Sequence, residues 1–103
     1  MASYSAVLST HKSTAAGVVD VVTLDRHYQS VEIINHDPTN VLYATVNGNN
    51  PVDTVPTVGG DSTYFVGTGA TRVISQQYVK ETAVVNIISV GIVAYSVTGL
   101  VSW

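Results

Sequence analysis

The sequence predicts a single all-β domain, an antiparallel β-sandwich of about eight short strands. The chain has 103 residues, which is a common length for one domain. Short β-branched runs recur along it with Gly, Pro, Asn and Asp between them, as is typical of sandwiches and small barrels. No window shows the apolar period of a helix.

Turn-forming residues delimit the strands in the first half of the chain. The stretch "STHKSTAAG" separates the first predicted strand from the second, and Arg26-His27 lies at the next turn. Asp37-Pro38 ends the third strand, because proline fixes φ and has no N–H for a β-ladder. Asn47-Gly48 ends the fourth and predicts a type I′ hairpin turn or, with Asn49-Asn50-Pro51, a longer loop. These four predicted strands are Ala6–Thr10, Val18–Leu24, Tyr28–Asn35 and Val41–Val46.

Glycine clusters delimit the strands in the second half. Gly59-Gly60-Asp61 and "GTGA" (residues 67–70) predict two corners, and Gly91 divides "AVVNIIS" from "IVAYSVT". We predict that the last two strands are buried and joined by a tight turn. The four predicted strands are Thr63–Val66, Thr71–Ser75, Ala83–Ser89 and Ile92–Thr98.

Alternation predicts which side chains share a face. In the third strand Val31 and Ile33 point one way, and Ser30 and Glu32 point the other. The fourth and seventh strands alternate in the same way but are largely apolar on both faces, which is typical of strands covered on two sides. Their predicted faces are Leu42, Ala44 and Val46 against Val41, Tyr43 and Thr45, and Ala83, Val85 and Ile87 against Val84, Asn86 and Ile88.

The composition predicts a surface that neighbouring proteins cover. Charged residues make up 11% of the chain, against about 25% in a typical globular protein. The four basic residues are scattered and the net charge is −3, so we expect no nucleic-acid partner.

The N-terminus lacks the basic and apolar regions of a secretory signal. The charge-free segment Thr82–Trp103 is long enough for a membrane helix, but its Ser, Thr and Asn residues favour two strands and no membrane partner.

The residue patterns of common catalytic and ligand sites are missing. "GTGAT" lacks the lysine and the spacing of a P-loop, so we interpret it as a hairpin turn. His11, His27 and His36 match no zinc spacing, and we interpret His27 at a turn and His36 at a strand end as solvated residues. No G-x-S-x-G elbow or local pair of catalytic carboxylates occurs. We therefore expect no catalytic residue, metal or cofactor, although residues distant in sequence can still converge in a small hydrolase.

Tyrosine, tryptophan and leucine side chains are the candidates for recognition. Tyr and Trp combine apolar area with a polar tip, which favours interfaces and sugar-binding surfaces. A residue at a chain end normally frays, so an aromatic residue there indicates docking. The candidate assembly interface consists of Tyr4, Leu8, Tyr43, Tyr64 and Trp103.

The order of these segments resembles small virion proteins encoded among the head and tail genes of tailed phages. The resemblance rests on "VEIIN", "NVLYATVNG", the Gly-Asp loop with "YFVGTGATRVI", and "VNIISVGIVAYSVTG". The matching pieces are Val31–Asn35, Val41–Gly48, Gly60–Ile74 and Val85–Gly99. The resemblance implies a head decoration (cement) protein or a tail or head–tail component. It implies no catalytic residues.

The sequence therefore predicts a non-enzymatic decoration protein with a jelly-roll-like β-sandwich that binds and stabilises a capsid. Its expected partners are the major capsid protein and other virion proteins, together with copies of itself, for which a trimer at local three-fold points is one arrangement. Its expected location is the virion, assembled in the host cytoplasm. The alternatives are a tail or head–tail component, a virion-displayed carbohydrate- or receptor-binding module, and the small hydrolase.

Two hypotheses remain for the chain ends. Residues 1–17 form either an extended N-terminal arm that orders on a neighbouring subunit, or an edge strand of the same domain. Trp103 either docks on a neighbour or covers the domain's own core. In the first case, deleting Met1–Thr10 or changing Trp103→Ala weakens particle binding more than it lowers the melting temperature. In the second case, both changes destabilise the isolated domain.

Overall fold

The computed structural model describes residues 4–49, 55–60, 63–76 and 80–102, and for residues 4–9 and 102 it describes the backbone. All regular structure in these residues is β, in eight strands that form two four-stranded antiparallel sheets. All eight predicted strands are confirmed, although β1 is longer at both ends and β8 runs on to Ser102. The strands are β1 (Tyr4–Ser13), β2 (Asp20–Thr23), β3 (Ser30–Asn35), β4 (Leu42–Val46), β5 (Tyr64–Val66), β6 (Thr71–Ser75), β7 (Val84–Ile88) and β8 (Ala94–Ser102).

The two sheets are built from nested strand pairs. Sheet A has the order β1-β8-β3-β6, and sheet B has the order β2-β7-β4-β5. β1 pairs with β8, β2 with β7, β3 with β6 and β4 with β5, so the first half of the chain pairs in reverse order with the second half. β8 also pairs with β3, and β7 with β4, which joins the pairs into sheets. The last two predicted strands, β7 and β8, follow each other in the chain but lie in different sheets, so they do not pair with each other.

The sheets pack face to face around one apolar core, in a β-sandwich-like arrangement. The predicted faces of the third, fourth and seventh strands are confirmed, and the aliphatic set of each is the inward one. Three residues predicted on the opposite faces, Ser30, Thr45 and Ile88, are nevertheless buried because their strands lie in the middle of the sheets. The core contains Val22, Leu24, Tyr28, Val31, Ile33, Leu42, Ala44, Val46, Val66, Ile74, Ala83, Val85, Ile87, Val93, Tyr95 and Val97.

Two cationic side chains connect the sheets along their edges. Lys12 Nζ, from β1, donates to Asp20 Oδ1 at 3.2 Å and to the backbone oxygen of Val21 at 3.4 Å, both in β2. On the opposite side Arg72 Nη1, from β6, donates to the backbone oxygen of Phe65 in β5 at 3.0 Å. Each contact joins an edge strand of sheet A to an edge strand of sheet B, and so closes one side of the fold.

The turn at Asn47-Gly48 differs from the predicted type I′ turn. Gly48 has a φ of +80°, but no described residue other than glycine has a positive φ. The Asn49 N–H donates to the Val46 oxygen at 3.3 Å, so the positive φ falls only on the second central residue, as in a type II turn. The turn does not lead directly into β5, the strand that pairs with β4, because β5 begins only at Tyr64. The longer-loop alternative is therefore the one that the chain adopts.

The two chain ends contribute strands to the same sheet. From Tyr4 to Ser13 the N-terminal segment forms β1, which lies at the edge of sheet A and pairs with β8. The C-terminal segment, for which a membrane helix was the alternative, supplies β7 and β8. Within the described ranges, no helix is long and apolar enough to cross a bilayer.

Candidate assembly interface

Among the described residues of its four strands, the outer face of sheet B carries no charged side chain. Residues directly opposite one another in an antiparallel pair point to the same face of the sheet. Val21 lies opposite Asn86, and Asn86 lies opposite Thr45. Tyr43 lies opposite both Ile88 and Phe65. The outward set, which we call the sheet B face, consists of Val21 and Thr23 from β2, Val84, Asn86 and Ile88 from β7, Tyr43 and Thr45 from β4, and Phe65 from β5.

Tyr43 and Phe65 form the aromatic part of the sheet B face. The Asn47 N–H donates to the Val84 oxygen at 3.0 Å, so by alternation the backbone of Tyr43 bonds to β7 and not to Phe65. Side chains approach most closely in such a non-hydrogen-bonded pair. The two rings meet edge to face, with their centroids 5.8 Å apart and their planes at 62°. Phe65 is still 50% exposed, so a partner that covered it would gain from burying aromatic surface.

Val21 places a second exposed apolar side chain at the other edge of the same face. It is 50% exposed, as Phe65 is, and β2 and β5 are the two edge strands of sheet B. Between these edges Thr45 is buried, and Asn86 Nδ2 donates to Thr45 Oγ1 at 3.4 Å. Because these central polar groups already bond to each other, covering them costs less than covering unpaired groups.

The outer face of sheet A is polar by comparison. Glu32 lies opposite Thr98 on one side and Val73 on the other. Ser96 lies opposite His11 and Ile34 in the next row. This face therefore carries a carboxylate, hydroxyls and an imidazole among its aliphatic side chains. A partner would pay a larger desolvation cost to cover it than to cover the sheet B face.

Three residues distant in sequence converge on the outer face of sheet A. Ser96 Oγ lies 2.6 Å from His11 Nδ1 and 2.8 Å from His36 Nε2. A hydroxyl has only one proton to donate, so at least one of the two rings must donate an N–H to the Ser96 oxygen. The prediction that "STHKSTAAG" is a linker is wrong at His11, which lies inside β1, directly opposite Ser96. Sequence spacing could not show this contact, which depends on the pairing of β1 with β8.

The Ser96 cluster lacks other parts of a nucleophilic site. Ser96 is buried, and its strand lies between β1 and β3, whose ladders take up the neighbouring backbone amides. Acyl transfer needs free N–H groups that stabilise the oxyanion, and this central strand offers none beside the hydroxyl. The described residues contain no group of three or more His, Asp and Glu side chains placed to hold a metal ion. The cluster is best explained as hydrogen bonding that connects three neighbouring segments of sheet A.

The structure separates the residues predicted for the assembly interface. Tyr43 lies on the sheet B face, but Tyr64 points inward, where it packs against the core and its hydroxyl accepts from Asn49 Nδ2 at 2.9 Å. The backbones of Tyr4 and Leu8 lie in β1, opposite Ser102 and Gly99, and their side chains are outside the described set. Trp103 lies outside the described residues.

Sequence reasoning missed Phe65 and Val21 as parts of the candidate interface. Phe65 is the only phenylalanine in the chain and sits in the predicted strand "TYFV". That signal was available, but alternation within a three-residue strand does not tell which side faces outward. Val21 lies in a run of aliphatic residues, and its exposure follows from the position of β2 at the edge of sheet B.

Comparisons of the chain with protein-family models, with curated proteins and with solved structures find no match.

Proposed function

We propose that this chain is a non-enzymatic virion structural protein that decorates a phage capsid and stabilises it through the sheet B face. The observation that carries the proposal is the absence of charge from a face on which Phe65 and Val21 are half exposed. Protein-binding surfaces are depleted in charged residues at their centre and enriched in aromatic ones. The resemblance of the chain to small virion proteins of tailed phages supports the same role.

The finer fold that suits this role is a jelly roll, an architecture shared by viral capsid and lectin domains. It has eight strands in two sheets, with Greek-key connections. The orders β1-β8-β3-β6 and β2-β7-β4-β5 are those expected when a long antiparallel ribbon, with its two halves paired, folds over on itself. This nested order supports the jelly-roll assignment.

The size of the sheet B face favours binding at several points of a lattice. Four strands about 4.8 Å apart and about five residues long present roughly 300 Å² in projection. A specific interface buries about 600–1,000 Å² on each partner, so the partner must also cover adjoining loops. The exposed side chains of Val18, Val90 and Ile92 lie in two such loops, which the 2.8 Å bond from the Gly17 N–H to the Ser89 oxygen holds together. Many copies on one shell would add their modest individual contributions to its stability.

The proposal is tested with particles of a phage that encodes this chain, made with and without the gene. Particles that lack the protein are expected to release their DNA at a lower temperature, and added purified protein should restore the original temperature. Phe65→Ser should weaken particle binding by about tenfold, because covering the exposed half of the Phe65 side chain contributes about 1–1.5 kcal/mol of apolar burial at the interface.

Val73→Ser is the matched control for Phe65→Ser. Val73 is 49% exposed and lies on the edge strand β6, but on the outer face of sheet A. We expect it to bind particles as the unchanged protein does. If particles with and without the protein released their DNA at the same temperature, the stabilising role would be refuted. If Phe65→Ser and Val73→Ser lost particle binding equally, the sheet B face would not be the binding surface.

The same exposed aromatic pair also favours a second candidate, a virion-displayed carbohydrate-binding module. The exposed apolar face of an aromatic ring can also serve as a platform for a sugar ring. A glycan array probed with the unchanged protein and with Phe65→Ser separates the two functions. Glycan binding that is lost in the variant, together with unchanged particle stability, would favour the carbohydrate module.

A tail or head–tail position is favoured if the protein copurifies with tails and not with heads.

A further inference from the structure

The four edge strands of the two sheets differ greatly in length. β1 has ten residues, against four in β2, three in β5 and five in β6. An edge strand presents unpaired N–H and C=O groups that can template another strand. Natural proteins limit this by keeping edge strands short or by covering them. By length alone, β1 is the edge best suited to pair with a further strand.

Basic side chains already occupy the edges of sheet B. The Leu24 N–H donates to the Ala83 oxygen at 2.8 Å, which by alternation directs the Val21 carbonyl away from β7 and toward the open edge. Lys12 Nζ occupies that carbonyl at 3.4 Å. The Phe65 carbonyl likewise points away from β4, and Arg72 Nη1 occupies it at 3.0 Å. Neither edge of sheet B is therefore available along its full length.

The outward backbone groups of β1 can be assigned from its pairing with β8. The Thr14 N–H donates to the Val93 oxygen at 2.9 Å, so Lys12 and Thr10, two and four residues earlier, also bond toward β8. The residues between them, Ser9, His11 and Ser13, direct their N–H and C=O groups to the open side. A register shift between Ala6 and Leu8 changes this alternation nearer the N-terminus. The regular outward edge is therefore the segment Leu8–Ser13.

The charge on this segment does not oppose pairing. Lys12 is the only Lys, Arg, Asp or Glu residue in β1. Its ammonium group is turned toward β2, where it pairs with Asp20 at 3.2 Å. Lysine often protects an edge strand by facing an incoming strand with a charge. Here that charge is used for a contact within the same subunit.

We propose that the outward edge of β1 pairs antiparallel with β1 of a second copy of this chain, which joins the two copies of sheet A into one continuous sheet. An antiparallel two-fold arrangement offers each outward N–H of one copy an outward C=O of the other. With the axis at His11, Ser9 pairs with Ser13 of the other copy and Lys12 lies opposite Thr10, so the two lysines do not face each other. The sheet B face stays free in such a dimer. The inference is therefore independent of capsid binding.

Amide hydrogen exchange of the unchanged protein, followed by NMR at low and high protein concentration, tests the proposal directly. The amides of Ser9, His11 and Ser13 are expected to become protected as concentration rises, in step with a mass increase in analytical ultracentrifugation. The amides of Thr10 and Lys12 should be protected at every concentration, because they bond to β8. A protein that stays monomeric at millimolar concentration would overturn the proposal. So would a dimer in which these three outward amides exchange as they do in the monomer.

Proline substitution provides a second test at a single backbone position. Ser9→Pro removes an outward N–H without breaking a bond to β8, and it should weaken dimerisation by about tenfold or more, since one donor is lost from each copy. Val73→Pro is the matched control, because the Val73 N–H points to the open side of β6. We expect it to dimerise normally. Loss of the dimer in Val73→Pro, with Ser9→Pro unaffected, would assign the contact to β6 and refute the proposal.

Discussion

At the scale of single residues, the Tyr28 ring restricts residue 99 to glycine. Gly99 lies in β8 on the inner side of sheet A, and Tyr28 is completely buried. A Cβ atom at residue 99 would lie 2.7 Å from three ring carbons of Tyr28. The Tyr28 O–H donates to Asp25 Oδ1 at 2.5 Å, which holds the ring in place. The tyrosine supplies the packing that a glycine in a strand cannot provide.

We expect Gly99→Ala to destabilise the protein by about 1–3 kcal/mol or more, because the buried Tyr28 ring has no free space into which it can move. Chemical denaturation measures this loss. Gly67→Ala is the control, since its Cβ would meet only Phe65 Cε1 at 3.6 Å and Ala70 Cβ at 3.8 Å, which are ordinary contacts. Similar stabilities for the two variants would show that the Tyr28 ring does not constrain residue 99.

Two buried tyrosines predict a loss of stability at alkaline pH. Burial, followed by the hydrogen bond to the Asp20 carboxylate, raises the pKa of Tyr95 well above its ordinary value. Burial and the bond to Asp25 raise the pKa of Tyr28 in the same direction. The unfolded chain loses these protons near pH 10, whereas the folded chain keeps them. Their contribution to stability is therefore complete below about pH 10 and declines as the pH rises beyond it.

Urea denaturation between pH 8 and pH 11.5 should show this decline as a falling free energy of unfolding. Tyr95→Phe should make the alkaline slope shallower, because phenylalanine cannot ionise in either state. At neutral pH the same variant should lose about 1 kcal/mol for the missing hydrogen bond. Unfolding curves of Tyr95→Phe and the unchanged protein that decline in parallel above pH 10 would contradict the assignment.

At the scale of the elements, the sequence predicts strands well and their partners poorly. The run Val41–Val46 alternates clearly and is bounded by turn residues, so both β4 and its inward face could be predicted. Its pairing with β7 and β5 could not, because pairing depends on contacts far apart in the sequence. The position of Phe65 on an outer face depends on that pairing. This is why the candidate interface was predicted only in part, through Tyr43.

Asn47 illustrates what turn propensity leaves out. The dipeptide Asn47-Gly48 predicts a turn, and a turn is present. In addition, Asn47 Oδ1 accepts the Val84 N–H at 2.8 Å and Gln76 Nε2 at 2.7 Å, and Asn47 Nδ2 donates to the Thr82 oxygen at 2.8 Å. The side chain thus connects the end of β4 to β7 and to the residue after β6. Local propensity carries no information about such bonds, since their partners lie 29 to 37 residues away.

At the scale of the whole molecule, nested pairing makes β1 and β8 the outermost pair. Tyr4 lies opposite Ser102, so the two ends of the described chain meet in one sheet. Of the two hypotheses for the N-terminal segment, this arrangement favours the edge strand for residues 4–13. The N-terminal segment then supports the fold by covering one whole edge of β8, most of whose side chains are buried.

We therefore expect deletion of residues 1–10 to destabilise the isolated domain, and not only to weaken assembly. The deletion removes most of the ladder between β1 and β8, including the partners of Val97 and Gly99. Several backbone hydrogen bonds of about 0.5–1.5 kcal/mol each are lost, together with side-chain packing, so the free energy of unfolding should fall by about 3 kcal/mol or more. For a domain of this size, such a loss lowers the melting temperature by about 10–25 °C. Differential scanning calorimetry of the monomer at low concentration measures this shift separately from any loss of dimer.

The control for the deletion is Ser9→Pro, which should reduce dimerisation but melt within a few degrees of the unchanged monomer. A deletion variant that melts normally and loses only particle binding would instead support an N-terminal arm that acts between subunits.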